Sequence, residues 1–154
     1  MPVIRAKNIK TMLSAIKKYI YERQMYQFNK VTGSFIIDSK TGKRVRTGLP
    51  SAYCKAVAIR RYHEIDEAIN NLEHHANSEH TFITPKGNII YYTIPKDTGR
   101  ARIFYTVLTN RRSSQIKALA VTLPGMPIER ILSTFELFNR LRSKRTRRYL
   151  EREE

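Results

Sequence analysis

The sequence has no tryptophan, a single cysteine, and only six glycines and six prolines among its 154 residues. One cysteine cannot form an internal disulfide, which excludes a small scaffold held together by disulfides and is typical of a reducing compartment. Low glycine and proline content, with 41% hydrophobic residues, excludes a largely disordered chain. Cys54 lies among alanines on a predicted helix, which favours a buried structural thiol. We expect a cytoplasmic protein.

Long apolar runs are also missing. No stretch approaches the roughly 20 apolar residues that a membrane-spanning helix needs. The first ten residues, MPVIRAKNIK, contain charges but lack the continuous apolar core of a secretory signal. The sequence therefore predicts no membrane partner.

Acidic residues are scarce, since 13 Asp and Glu stand against 29 Lys and Arg, for a net charge of +16. Residues 1–50 have 11 basic residues against 2 acidic, residues 51–98 have 5 against 6, and residues 99–154 have 13 against 5. Because so large a charge repels itself in the folded state, it is typical of proteins that bind a polyanion. Nucleic acid is the commonest such partner, ahead of an anionic membrane or an acidic protein. The charge predicts a nucleic-acid-binding protein, with RNA slightly favoured over DNA.

Apolar residues at helical spacing predict two helices in the first half of the chain. The first covers residues 7–28, and the second runs from Ala52 to Asn77 with one stripe of core residues. Between them, residues 34–48 have the pattern of a hairpin with a basic second arm.

Three strand-like runs follow the second helix, at residues 88–94, 101–108 and 116–123. Short, turn-rich connections between them favour an antiparallel meander. A last helix is predicted to begin near Pro127. The pattern predicts one α+β domain over residues 1–154, with the order helix–hairpin–helix–three strands–helix. Two or three helices pack on the sheet, and no internal repeat is expected.

The segment GRARIFYTVLTNRR, residues 99–112, has arginines at both ends of an apolar strand. Alternation places Arg100, Arg102 and Phe104 on one side of the strand, and Ile103 and Tyr105 on the other. We assign the second side to the core and expect both arginines to face solvent along a polyanion. The alternative is that these arginines only protect a sheet edge from pairing with another chain.

The C-terminal segment, residues 142–154, is basic on all sides of a helical wheel. Because buried unpaired charges are costly, we expect it to project as a helix or tail that neutralises phosphates, the alternative being a merely solvated tail. Aromatic residues interleave with the basic ones, and bases of a single strand can stack on such rings. The predicted nucleic-acid contacts are Lys17, Lys18, Arg23, Lys43, Arg44, Arg46, Arg100, Arg102, Arg111, Arg112, Arg140, Lys144, Arg145, Arg147 and Arg148.

The four histidines cluster in one part of the sequence, and His63, Glu67, Asn70 and His74 fall near one face of the second helix. Such a group is a candidate metal site or acid–base site. No paired cysteines, His-Glu-x-x-His motif or nuclease-type acidic set accompanies it, so we expect surface histidines, no metal and no cofactor.

An RNA-cleaving enzyme can work without metal if it supplies a base, a cation and an acid. The helices followed by NIIYYTI and GRARIFYTVL resemble the RelE-type and colicin-type RNase toxins over residues 51–124. The resemblance implies a metal-independent endoribonuclease, and His63, Arg102 and Tyr105 are catalytic candidates by chemical type. Two alternatives to a binding protein therefore stay open. One is this ribonuclease, and the other is a structural component of a nucleoprotein particle, such as a ribosome or virion, with protein partners.

Overall fold

The computed structural model describes residues 3–75, 80–83, 89–109 and 112–126. Helices and strands share one hydrophobic core in this part of the chain, and the prediction of an α+β fold is confirmed. The elements in chain order are β1 Val3–Arg5, α1 Ile9–Met25, β2 Phe28–Asn29, β3 Ser34–Phe35, α2 Ser51–Asn70, α3 Leu72–His75, β4 His80–Ile83, β5 Ile89–Thr93, β6 Arg102–Thr109 and β7 Ser114–Thr122.

The main sheet has five strands in the order β1-β7-β6-β5-β4. Neighbouring strands from β4 to β7 pair antiparallel, whereas β1 runs parallel to β7. The sheet is thus mixed, and the sequence pattern missed both β1 and β4. Each is only three or four residues long, too short for alternation to be recognised.

Side-chain bonds tie the short edge strand β1 to α2. Arg5 Nη1 donates to Asp66 Oδ1 at 2.6 Å, and Arg5 Nη2 donates to Asn70 Oδ1 at 2.7 Å. A three-residue strand makes too few ladder bonds to be stable alone, so this two-pronged contact helps to hold β1 in place.

Helix α1 is shorter than the predicted 7–28. Its apolar stripe, including Ile9, Leu13 and Ile16, is buried as expected, but Tyr26 adopts an extended conformation that ends the helix. Helix α2 ends at Asn70, and the turn at Asn71 separates it from α3. The stripe continues across that turn, because Ile65, Ile69 and Leu72 are all buried. Cys54 is buried, as predicted.

A second, smaller β-structure follows α1, and we call residues 25–47 the β-triangle. Three backbone bonds close it into a ring. Gln27 N–H donates to Val45 O at 2.9 Å, Val45 N–H to Ile36 O at 3.0 Å, and Ile36 N–H to Gln27 O at 3.0 Å. The three central residues are nine positions apart, and each segment pairs with both of the others. The predicted hairpin is therefore two sides of a three-sided unit.

The turns of the β-triangle repeat with the same nine-residue spacing. Asn29 Oδ1 accepts the N–H of Val31 at 2.9 Å, and Asp38 Oδ1 accepts the N–H of Lys40 at the same distance. Gly33 and Gly42 end the two turns, both with φ of 71°. The expectation of no internal repeat is wrong here, since NKVTG and DSKTG are two copies of one Asx turn.

The predicted last helix from Pro127 and the basic segment 142–154 lie outside the described residues. No helix within the described ranges has the length and apolar character required to cross a bilayer.

Candidate nucleic-acid interface

A cleft of about 330 Å³ lies where α1, α2, the β5–β6 loop and the segment after β7 meet. Three arginines line it, namely Arg23, Arg61 and Arg100, and no acidic side chain is among its lining residues in the described part of the chain. We call it the arginine cleft. The other lining residues are Tyr19, Ile20, Gln24, Gly99, Leu123 and Pro124.

Arg61 is held in the cleft by bonds to two elements. Its Nη1 donates to the carbonyl oxygen of Asp97 at 3.0 Å and to Glu64 Oε2 at 3.1 Å. Arg61 is not among the predicted contacts. It follows the buried Ala58 by three positions and precedes Ile65 by four, which places it beside the core stripe.

Arg100 comes from a strained loop. Asp97 and Arg100 have φ of 61° and 63°, in the left-handed region that costs a non-glycine residue about 1 kcal/mol or more. The buried Thr98 hydroxyl donates to Pro95 O at 2.7 Å and fixes the loop. The Arg100 side chain is exposed and has no hydrogen-bonding or ionic partner among the described residues. It is free to bind a ligand.

Arg23 is oriented by aromatic rings. Its guanidinium carbon lies 3.7 Å from the ring centroid of Phe28, and its Nη1 donates to Tyr19 Oη at 2.8 Å. Stacking occupies one face of the guanidinium, and its N–H groups lie in the plane, where one of them bonds Tyr19 Oη. Arg23 therefore has donors left for an anion.

A second depression, of about 320 Å³, adjoins the cleft and is lined mostly by apolar side chains. We call it the aromatic pocket. Phe28 and Phe35 meet edge to face in it, with centroids 5.2 Å apart. Arg44 lies over Phe35 with its Cζ 4.1 Å from the centroid, and its Nη1 is 3.5 Å from Glu22 Oε2. The remaining lining residues of the pocket are Tyr19, Gly33, Ser34 and Ile37.

The other predicted contacts are distributed over several elements. Lys43 and Arg46 are exposed on the β-triangle, and Lys18 is exposed on α1. Lys17 is exposed too, with its ammonium 5.3 Å from the ring centroid of Tyr62. Arg112 is exposed beyond β6. The predicted contacts that lie outside the described residues are Arg111, Arg140, Lys144, Arg145, Arg147 and Arg148.

The expectation that Arg100 and Arg102 share a solvent-facing side is wrong. Arg102 is only 4% exposed, and Phe104 on the same side is fully buried. Arg100 lies in the turn before the strand, so the alternation of side chains between the two faces of β6 does not apply to it. Phe104 and Tyr105 are consecutive residues, and both are buried, so both faces of β6 are covered here. Arg102 is too deep to lie against a phosphate backbone.

The three catalytic candidates do not share one accessible site. His63 is exposed on α2, whereas Arg102 and Tyr105 are buried in β6. Three positions apart on a strand, Arg102 and Tyr105 point to opposite faces of the sheet. Tyr105 stacks on Tyr91 with centroids 5.5 Å apart.

No group of three histidine, cysteine, aspartate or glutamate side chains is placed to hold a metal ion among the residues that the structure describes. The side chain of His74, which the sequence places on one helix face with His63, lies outside them. The distinctive feature of the site is an arginine-lined cleft beside an aromatic pocket. Comparison of the chain with protein-family models, curated proteins and solved structures finds no match.

Proposed function

We propose that the protein binds nucleic acid, with the arginine cleft as the centre of the interface. One observation carries the proposal. Three guanidinium groups from three separate elements converge in one concavity that no described carboxylate lines. Like charges brought together in a fold repel each other, and among the described residues Glu64 pairs with Arg61 but no carboxylate pairs with Arg23 or Arg100, so their convergence favours an anionic ligand.

Guanidinium groups suit phosphate because their planar donors bind two oxygens at once. A concave cationic surface also concentrates the field and accelerates capture of a polyanion. Each phosphate neutralised releases counterions, so the affinity should fall as salt rises. Arg100, which has no partner to lose among the described residues, is the best placed of the three.

Basic residues around the cleft extend the proposed interface. Lys43, Arg44 and Arg46 lie on the β-triangle, and Lys17 and Lys18 lie on α1. The basic C-terminal segment would add contacts that do not depend on sequence. RNA as the preferred nucleic acid and a cytoplasmic location belong to the same proposal.

The structure offers no support for the ribonuclease alternative, because two of its three candidates are buried on opposite faces of β6. A component of a nucleoprotein particle differs from the leading proposal in one measurable respect. An isolated binding protein captures short oligonucleotides by itself, whereas a particle component needs its protein partners.

Arg60 and Arg61 provide a matched test of the cleft. Both are arginines on α2 that contact Glu64, but only Arg61 lines the cleft, and the Arg60 side chain is 70% exposed. Arg61→Gln and Arg100→Gln should each weaken binding of an oligonucleotide about tenfold and lower the salt slope by about one unit. Arg60→Gln removes the same charge and should change the affinity less than about threefold.

Fluorescence titrations over a range of salt concentrations measure the affinity and the salt slope of the parent protein and of all three variants. A salt slope of zero for the parent protein would remove the proposal. Equal losses for Arg60→Gln and Arg61→Gln would show that net charge, and not the cleft, determines binding.

A further inference from the structure

The arginine cleft and the aromatic pocket are two parts of one continuous surface. Tyr19 lines both depressions. Arg23 of the cleft stacks on Phe28 of the pocket at 3.7 Å. Any ligand that fills the cleft therefore lies next to the aromatic pocket.

The two depressions differ in chemistry as the two parts of a nucleotide do. One is cationic, and the other presents phenylalanine rings and the apolar side chain of Ile37, which is 54% exposed. We propose that the aromatic pocket takes one unstacked base of a single-stranded nucleic acid whose phosphate lies in the arginine cleft. This inference rests on the proposed function and adds to it a preference for single strands.

Arg23 covers one face of Phe28 and Arg44 covers one face of Phe35, so a base in this pocket stacks on the remaining ring surface or on a guanidinium. The Phe28 and Phe35 rings are inclined at 76° to each other, so the pocket has two aromatic walls. Arg44 adds a planar guanidinium, on which bases also stack, and its contact with Glu22 holds it there. Such stacking tolerates any base, because every base has a flat π-face.

Base pairing would prevent this mode of binding. In a duplex the bases are stacked inside the helix, and their flat faces are not available to protein rings. The phosphates of a duplex would still reach the arginine cleft. Loss of the pocket should therefore affect single strands and leave duplex binding unchanged.

The surroundings of the pocket favour an anionic occupant over an apolar peptide. Lys30, Lys40, Lys43 and Arg46 are exposed on the same β-triangle, which contains one aspartate, Asp38. An apolar peptide would gain from the rings but nothing from these cations. A nucleic-acid strand gains from both.

Ile37 and Ile36 provide the sharpest pair of variants. Both are partly exposed neighbours in the β-triangle, at 54% and 40%, but only Ile37 lines the pocket. Ile37→Ser should weaken single-strand binding about fivefold, whereas Ile36→Ser should leave it unchanged. Phe35→Leu removes a stacking ring and should weaken single-strand binding about tenfold. The isoleucine pair keeps the test valid if Phe35→Leu does not fold.

The probes are a mixed-sequence single strand, its duplex, and the same strand with 2-aminopurine at one position. The parent protein should bind the single strand at least about tenfold more tightly than the duplex at equal salt. Fluorescence of 2-aminopurine should change on binding to the parent protein and less with Ile37→Ser. Arg61→Gln should weaken binding of both strand forms.

The outcomes of these experiments distinguish this inference from the proposed function on which it rests. Equal affinity for single strand and duplex, with Ile37→Ser and Phe35→Leu both neutral, would overturn the inference and leave the arginine cleft standing. If the protein binds none of the probes, both the inference and the proposed function are overturned.

Discussion

Gly99 lies against Arg61 so closely that a Cβ on the glycine would stand 3.2 Å from Arg61 Nε and 3.3 Å from its Cζ. Gly99 also has φ of 69°, a conformation that glycine adopts without strain. The glycine thus serves two purposes, since it turns the β5–β6 loop and leaves room for the arginine. The cleft depends on both.

Gly99→Ala should lower the free energy of unfolding by about 1–2 kcal/mol and weaken oligonucleotide binding. Gly42→Ala is the control, because Gly42 has φ of 71° and a Cβ added to it would meet nothing within 4 Å. Backbone strain is then similar in the two variants, and only Gly99→Ala displaces Arg61. Urea denaturation and a binding titration measure the difference. Equal affinity of the two variants would contradict the role given to Gly99.

The core stripe of α2 and α3 makes a second prediction. Ile65→Ala and Leu72→Ala should each lower the free energy of unfolding by about 2–5 kcal/mol, because both side chains are fully buried. Ile59→Ala on α2 should cost less than about 1 kcal/mol, since Ile59 is 40% exposed. Thermal and urea unfolding provide the comparison. Parent-like stability of both core variants would show that the stripe is not the core.

The core stripe could be predicted from sequence because it needs only local periodicity. Spacing of three and four residues places Ala58, Ile65 and Leu72 on one face whatever the helix packs against. The same holds for the α1 stripe. Periodicity did not show where the helices end, because Tyr26 leaves α1 to pair with Arg46, twenty residues further along.

The arginine cleft could not be predicted in the same way. Arg23, Arg61 and Arg100 are about forty residues apart in sequence and meet only in the folded chain. Arg23 and Arg100 were predicted contacts. They were chosen because the chain is strongly basic, and not because they were expected to meet in one cleft. The β-triangle was missed for a related reason, since its bonds join segments whose nine-residue repeat is shorter than the repeats usually sought.

The Asx turns of the β-triangle make a third prediction. Asp38→Asn keeps the Oδ1 acceptor for the Lys40 N–H and removes one of two acidic residues in the first 50. Stability should stay within about 0.5 kcal/mol of the parent, and the affinity for nucleic acid should rise slightly at low salt. Asp38→Ala removes the acceptor as well and should cost about 0.5–1.5 kcal/mol. Equal stability of the two variants would show that this side-chain bond contributes nothing.

Arg100 and Arg102 make the last prediction, because two arginines only two positions apart should behave in opposite ways. Arg100 is exposed in a left-handed conformation, which asparagine adopts more readily than arginine. Arg100→Asn should therefore weaken nucleic-acid binding about tenfold without lowering the free energy of unfolding.

Arg102 is 4% exposed, so Arg102→Asn removes a long side chain from the interior together with the contacts it makes there. We expect a loss of about 2 kcal/mol or more in stability, because the groups around a buried guanidinium lose their partner. Binding by the fraction that remains folded should match the parent, since Arg102 does not reach the surface. Urea denaturation paired with a titration at a temperature where both variants are folded tests the contrast. If Arg102→Asn leaves stability unchanged and abolishes binding, Arg102 contacts the ligand and is not buried.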